Sequence, residues 1–242
     1  MSPILSVHAL HKSFGAVVVA DATSFDVAQG EAIGILGPNG AGKTSLFNLI
    51  TGAMRPNSGQ IVFDGRDITQ TSAAARCKMG IARSFQIPQP FGGMTVFENA
   101  LVGATQGAGL GTREAEALAL DVLAQTGLMP HANQRAGTLS LLDRKRLELA
   151  RALAAKPKLL LLDEIAGGLT DAECTALIET IKRIHANGTT IVWIEHVVHA
   201  LLAVVQKLIV IDFGRKIAEG DPKAIMDSAQ VKEIYMGITA DA

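Results

Sequence analysis

Eight residues, GPNGAGKT at 37–44, constrain this 242-residue chain more than any other stretch. They satisfy the pattern G-x-x-x-x-G-K-[ST] between an apolar run, EAIGILG at 31–37, and GKTSLFNLITGA, whose Leu46, Leu49 and Ile50 recur at helical spacing. A strand that turns through glycines into a helix presents successive backbone N–H groups and a helix N-terminus to an anion. The loop therefore predicts phosphate binding. Gly37, Pro38, Asn39, Gly40, Ala41 and Gly42 would wrap the phosphates, with Ser45 closing the loop's contacts. Lys43 would reach the β- and γ-phosphates and the Thr44 hydroxyl would ligate Mg²⁺.

A second element supplies acid groups. PKLLLLDE at 157–164 carries four consecutive leucines, which suit a parallel strand covered on both faces. Its C-terminal edge, where open α/β sheets bind ligands, delivers Asp163 and Glu164. Beside a phosphate loop, Asp163 is expected to hold Mg²⁺ through water and Glu164 to polarise the attacking water. His196 directly follows TTIVWIE at 189–195. A lone histidine at a strand end is either structural or a γ-phosphate sensor, and its place one helix and one strand after Glu164 favours the sensor.

Between these motifs the pattern is that of an α/β chain. TDAECTALIETIKRIHANG at 170–188 opens with Thr170 and Glu173 in capping-box spacing and stops at Asn187-Gly188. Leu177, Ile178, Ile181 and Ile184 share one face, which predicts a helix. TTIVWIE and KLIVIDFG (207–214) read as buried strands, so strand, helix and strand alternate as in a parallel sheet. Residues 4–27, and residues 60–63 between turn signals at Pro56-Asn57 and Asp64-Gly65, read as antiparallel strands. From 87 to 157 the character changes. Pro88, Pro90, Gly92 and Gly93 give way to helical patterns at 114–125 and 141–153, which predicts a helical subdomain.

Composition bounds the partners. At this length, and with 48% hydrophobic residues, one large domain with a subdomain can bury a core. A net charge of −1 with one Trp and one Tyr argues against a nucleic-acid partner. A charged fraction of 19%, below the roughly 25% usual in soluble domains, points to surface covered by a partner. Cys77 and Cys174 give no disulfide framework, so a reducing compartment is expected. The opening MSPILSVHALHKS lacks the basic start and apolar core of an export signal. The longest apolar stretch, 197–211, is interrupted by His199, Gln206 and Lys207 and falls short of the ~20 residues of a membrane span.

Five stretches in order, LHKSFG (10–15), GPNGAGKT, ARSFQIPQPFGGMTVFENALVG (82–103), LLLLDE and IVWIEHVVHAL (191–201), make the chain resemble the ATP-binding subunit of an ABC transporter over essentially its whole length. It is most similar to the importer ATPases for branched-chain amino acids and related small solutes, whose short helical ending KEIYMG (232–237) also resembles. The resemblance implies an α/β fold: a P-loop NTPase (RecA-like) core with an antiparallel β subdomain and an inserted helical subdomain. Residues 1–86 and 158–242 would form the nucleotide-binding core and 87–157 the helical subdomain.

The resemblance also implies roles. Phe14 would stack on adenine, or else be a core residue beside a β-turn. Gln86 would ligate Mg²⁺ through its carbonyl oxygen and link the ATP site to the helical subdomain. His196 would contact the γ-phosphate, and Ser140 would offer its hydroxyl to a phosphate. Two ATP molecules would lie in a homodimer, or in a heterodimer with a second ABC ATPase. The implied partners are membrane permease subunits and, indirectly, an external solute-binding protein, at the cytoplasmic face of the plasma (inner) membrane. Phe91, Met94 and Phe97 would line a groove for a permease helix, or form the subdomain core.

Two departures stand out. Where the family has LSGGQ, this chain has Leu139-Ser140-Leu141-Leu142-Asp143, and Thr170 stands where many relatives carry Asp or Asn. Glycine allows close backbone approach to a phosphate, and leucine in its place weakens or reshapes that contact. The altered signature motivates a competing reading, a nucleotide-binding regulator with hydrolysis lost, against which Glu164 and His196 count. A soluble ABC ATPase of DNA repair or translation is disfavoured, because 242 residues hold neither tandem cassettes nor long arms.

Overall fold

A computed structural model describes residues 2–236, which fall into two compact units, Met1–Ala73 with Thr190–Ala242, and Ala74–Thr189. The first unit opens with β1 (Leu5–Phe14), β2 (Val17–Val27), β3 (Ala32–Leu36), α1 (Lys43–Thr51), β4 (Ser58–Phe63) and β5 (Arg66–Asp67). Then α2 (Ala73–Met79) leads into the second unit, with β6 (Ile81–Ser84), α3 (Val96–Val102), α4 (Thr112–Gln125), α5 (Leu141–Ala154), β7 (Leu159–Asp163) and α6 (Asp171–Ala186). The chain returns to the first unit with β8 (Thr190–Ile194), α7 (Val198–Leu202), β9 (Lys207–Asp212), β10 (Arg215–Gly220), α8 (Pro222–Asp227) and α9 (Ala229–Met236). Of the terminal KEIYMG, residues 232–236 are helical and Gly237 lies outside the described residues.

The first unit holds two sets of strands. One is antiparallel in the order β2-β1-β4-β5, with Leu5 opposite both Val27 and Phe63. Asp64 and Gly65 join β4 to β5 with φ of 50° and 72°, as a two-residue hairpin loop of the primed type requires. In the other set β3 lies between parallel neighbours β8 and β9, and β10 pairs antiparallel with β9. Every residue of β3 and of β8 is buried, the pattern of strands covered on both faces. Gly34 makes that cover possible: a Cβ there would come within 2.6 Å of Leu208 and 2.8 Å of Leu201.

The second unit holds the parallel pair β6–β7, with Ser84 opposite Leu162, and the helices α3, α4 and α5. A single π-helical turn, Gly103–Gly107, follows α3, and a Cβ at Gly103 would meet the Arg151 carbonyl oxygen at 2.6 Å. Glycine is thus what lets this turn approach α5. The helical patterns at 114–125 and 141–153 correspond to α4 and α5. Helix α3 forms in the Gly/Pro-rich stretch where periodicity gave no helix. Thr95 and Glu98 close a capping box there, and Asn99 is fully buried with its amide nitrogen donating to the Phe91 and Thr95 carbonyls.

Helix α6 carries the predicted face. Leu177, Ile178, Ile181 and Ile184 are buried, worth about 2 kcal/mol each in apolar burial. Its Thr170–Glu173 capping box is complete. Thr170→Ala should destabilise the chain by about 1 kcal/mol, read as a shift of the urea midpoint at neutral pH. The Thr170 backbone N–H, then its hydroxyl, hold the Glu173 carboxyl below the usual carboxylate range. A depressed carboxylate stabilises the fold above its ordinary value and ceases to as pH falls through the folded one. The gap between wild type and Thr170→Ala should accordingly narrow in acid.

Candidate functional site

The candidate residues divide between the two units. In the first, the phosphate loop leaves the C-terminal end of β3 and His196 follows the C-terminal end of the adjacent parallel strand β8, where Ile35 lies opposite Ile194. Both therefore emerge at one sheet edge, the edge at which such sheets bind ligands. Gly40 and Gly42 have φ of 82° and 100°, and a Cβ on Gly42 would overlap the Val19 carbonyl oxygen. No other residue can occupy position 42 without moving β2. Gly42 is the N-cap of α1, whose first turn holds no acidic residue, so nothing local opposes an anion there.

Lys43 is 5% exposed, and its ammonium donates to the loop carbonyls of Gly37 at 2.7 Å and Pro38 at 3.0 Å. The Thr44 side chain is exposed beside it. The loop is braced from β9–β10, where the Gly214 N–H donates to the Ala41 carbonyl at 2.8 Å. Phe14, at the end of β1, is 52% exposed with the Lys12 ammonium 5.0 Å from its ring centre. It is a surface aromatic, not a core one. His196 is exposed. Its backbone N–H donates at 3.0 Å to the carboxylate of Glu195, a fully buried residue that also accepts from Val197 N–H at 3.4 Å. Glu195 so fixes the loop that carries the histidine.

In the second unit, Asp163 ends β7 and Glu164 follows it, and Gln86 follows the adjacent parallel strand β6 by two residues. The structure brings them together. The Gln86 amide nitrogen donates to the Glu164 carboxylate, which leaves the Gln86 carbonyl oxygen as the atom suited to a cation. Glu164 has φ of 47°, a left-handed conformation that costs a side-chain-bearing residue about 1 kcal/mol. Asp163 is 2% exposed and pairs with the Arg83 guanidinium at 2.5 Å. Sequence reasoning missed Arg83. The one charge within β6, directly before the buried Ser84, was the signal available.

The altered signature is locally closed. Ser140 is the N-cap of α5, accepting from Asp143 N–H at 3.1 Å while its hydroxyl donates to the Asp143 carboxylate at 2.8 Å. Asp143 also pairs with Arg146 at 3.3 Å. Leu141 is 48% exposed and touches the Gly168 position, where a Cβ would lie 3.5 Å from its methyl. Phe91 is 46% exposed under the Arg151 guanidinium at 4.9 Å, while Met94 and Phe97 are half-buried. Among the described residues no three His, Cys, Asp or Glu side chains cluster as a metal site, and no helix is long and apolar enough to cross a membrane.

Residues 20–167 match the ABC transporter family. The high-affinity branched-chain amino acid transport ATP-binding protein LivG of Salmonella typhimurium is 34% identical over 97% of this chain and 98% of its own length. The lipopolysaccharide export system ATP-binding protein LptB of Acidithiobacillus ferridurans is 32% identical over 98% of each. Among solved structures, the ADP conformation of an ATP-binding cassette of an ABC transporter superposes with a TM-score of 0.87 at 30% identity, covering 98% of this chain and 100% of that one.

Proposed function

The chain belongs to the ABC transporter family of ATP-binding ATPases, and from that premise we propose that it is the ATP-hydrolysing subunit of an importer for branched-chain amino acids or a related polar solute. The observation that carries this reading is the 34% identity to LivG, sustained across 97% of this chain. In this reading Lys43 and the loop 37–45 hold the phosphates, Phe14 stacks on adenine, Glu164 polarises the attacking water and His196 contacts the γ-phosphate. The Thr44 hydroxyl, the Gln86 amide carbonyl and the Asp163 carboxylate are each oxygen donors of the kind Mg²⁺ takes. Mg²⁺, when bound, neutralises charge on the phosphate oxygens.

Residues 87–157 serve in this reading as the helical subdomain that meets the permease, and the chain works in a dimer, with itself or with a second ABC ATPase, peripheral to the inner face of the membrane. The Ser140–Asp143 bond places a carboxylate beside the hydroxyl that a phosphate would need, which weighs against this signature as a phosphate contact. LptB supports a second reading, an export motor. Transport direction separates the two. Sealed membrane vesicles holding the complex that a tag on this chain retains, with this subunit and ATP both enclosed in the lumen, should accumulate labelled leucine, isoleucine or valine. ATP-driven movement of a solute away from that side would overturn the importer.

A further inference from the structure

Helix α5 begins at the signature serine and then buries charge. Lys145 and Glu148 are each 4% exposed, and Arg151 follows at the same spacing of three along the helix. Buried charges persist where they are paired or hydrogen-bonded, and here each reaches main-chain groups next to the proposed chemistry. The Lys145 ammonium donates to the carbonyl of Glu164 at 3.3 Å. Glu148 accepts from Gln89 N–H at 2.9 Å, while Arg151 donates to the Gln89 carbonyl at 3.0 Å and to Glu148 at 2.9 Å. An ion pair thus grips both polar groups of one residue, and the Arg151 guanidinium also covers Phe91 at 4.9 Å.

Gln89 lies three residues beyond Gln86, whose amide reaches the Glu164 carboxylate. The contacts close a circuit: α5 to the Glu164 main chain, the Glu164 side chain to Gln86, the loop to Gln89, and Gln89 back to α5. Glu164 sits in a left-handed conformation, which persists where its surroundings enforce it.

We propose that Lys145, Glu148 and Arg151 are positioning residues for ATP hydrolysis, through which α5 fixes the Glu164 peptide and the Gln86 loop as one body. The inference rests on the roles proposed for Glu164 and Gln86. None of the three side chains needs to touch nucleotide. Their effect is on geometry, where a displacement near 1 Å can cost about a hundredfold in rate.

The test uses the full chain in the complex it purifies with. Glu148→Ala should speed amide exchange at Gln89 at least about tenfold. It should also lower kcat about tenfold while the KM for ATP stays within about twofold. Glu148→Gln, which retains a side-chain oxygen acceptor for Gln89 N–H, should restore both. Lys145→Met should lower kcat without changing exchange at Gln89, and it serves also if Glu148→Ala does not fold. Unchanged Gln89 exchange in Glu148→Ala, or a kcat equal to wild type in both Glu148→Ala and Lys145→Met, overturns the proposal. A wild-type rate no higher than that of Glu164→Gln would instead overturn the hydrolytic role of Glu164, with Gln89 exchange still deciding whether the clamp exists.

Discussion

Glu164→Gln is expected to bind ATP within about twofold of wild type and to lose about 10²–10⁴-fold in turnover, the range a general base contributes. The substitution keeps the shape of the side chain and removes its charge. The bond to Lys145 uses the Glu164 carbonyl and is unaffected, and an amide at 164 can still accept from Gln86. Backbone geometry at φ 47° is equally compatible with Gln. Loss of turnover would therefore report the carboxylate alone. Isothermal binding of a non-hydrolysable ATP analogue beside phosphate release separates the two effects, and a variant hydrolysing at the wild-type rate would sink the assignment.

Lys43→Met should weaken nucleotide binding by about 10²–10³-fold, the equivalent of two charge-assisted hydrogen bonds to phosphate. The Lys43 ammonium donates to the Gly37 and Pro38 carbonyls, which hold it at the loop. Methionine retains most of the buried stem but offers no donor to those carbonyls. The free variant should on that account also lose about 1–3 kcal/mol of stability, visible as a lower melting temperature. Titration with a fluorescent ADP and a thermal melt measure both. Affinity within about threefold of wild type would mean that the loop's backbone amides carry the binding without the lysine.

Much of this was legible in the sequence because it is local. The loop 37–44 needs glycines where φ is positive, and a run such as LLLLD can be buried on both faces only within a sheet. The Thr170 capping box and the face of α6 likewise follow from spacing along one helix. Helix α3 was also encoded locally, in Thr95 and Glu98, but the surrounding glycines and prolines hid it.

What escaped was decided between segments distant in sequence. Arg83 looks like an interruption of β6 until Asp163, 80 residues away, is placed beside it. Lys145 and Glu148 lie in the charged run RKRLE, yet both are buried. Their partners are main-chain groups of Glu164 and Gln89, and a main-chain acceptor leaves no residue-type signal. Phe14 was open to two readings, adenine platform or core, and only exposure removes the second.

Hydrolysis of ATP, rather than binding alone, is what this chain is expected to perform. Its most direct test is ATP turnover per chain, measured in the complex retained by a tag on this chain and across a range of concentrations, with Glu164→Gln in the same complex as the blank. Wild-type turnover should lie well above the blank at every concentration. ATP bound at full occupancy, with turnover equal to the blank at every concentration, would contradict it and leave a nucleotide-binding regulator as the better description.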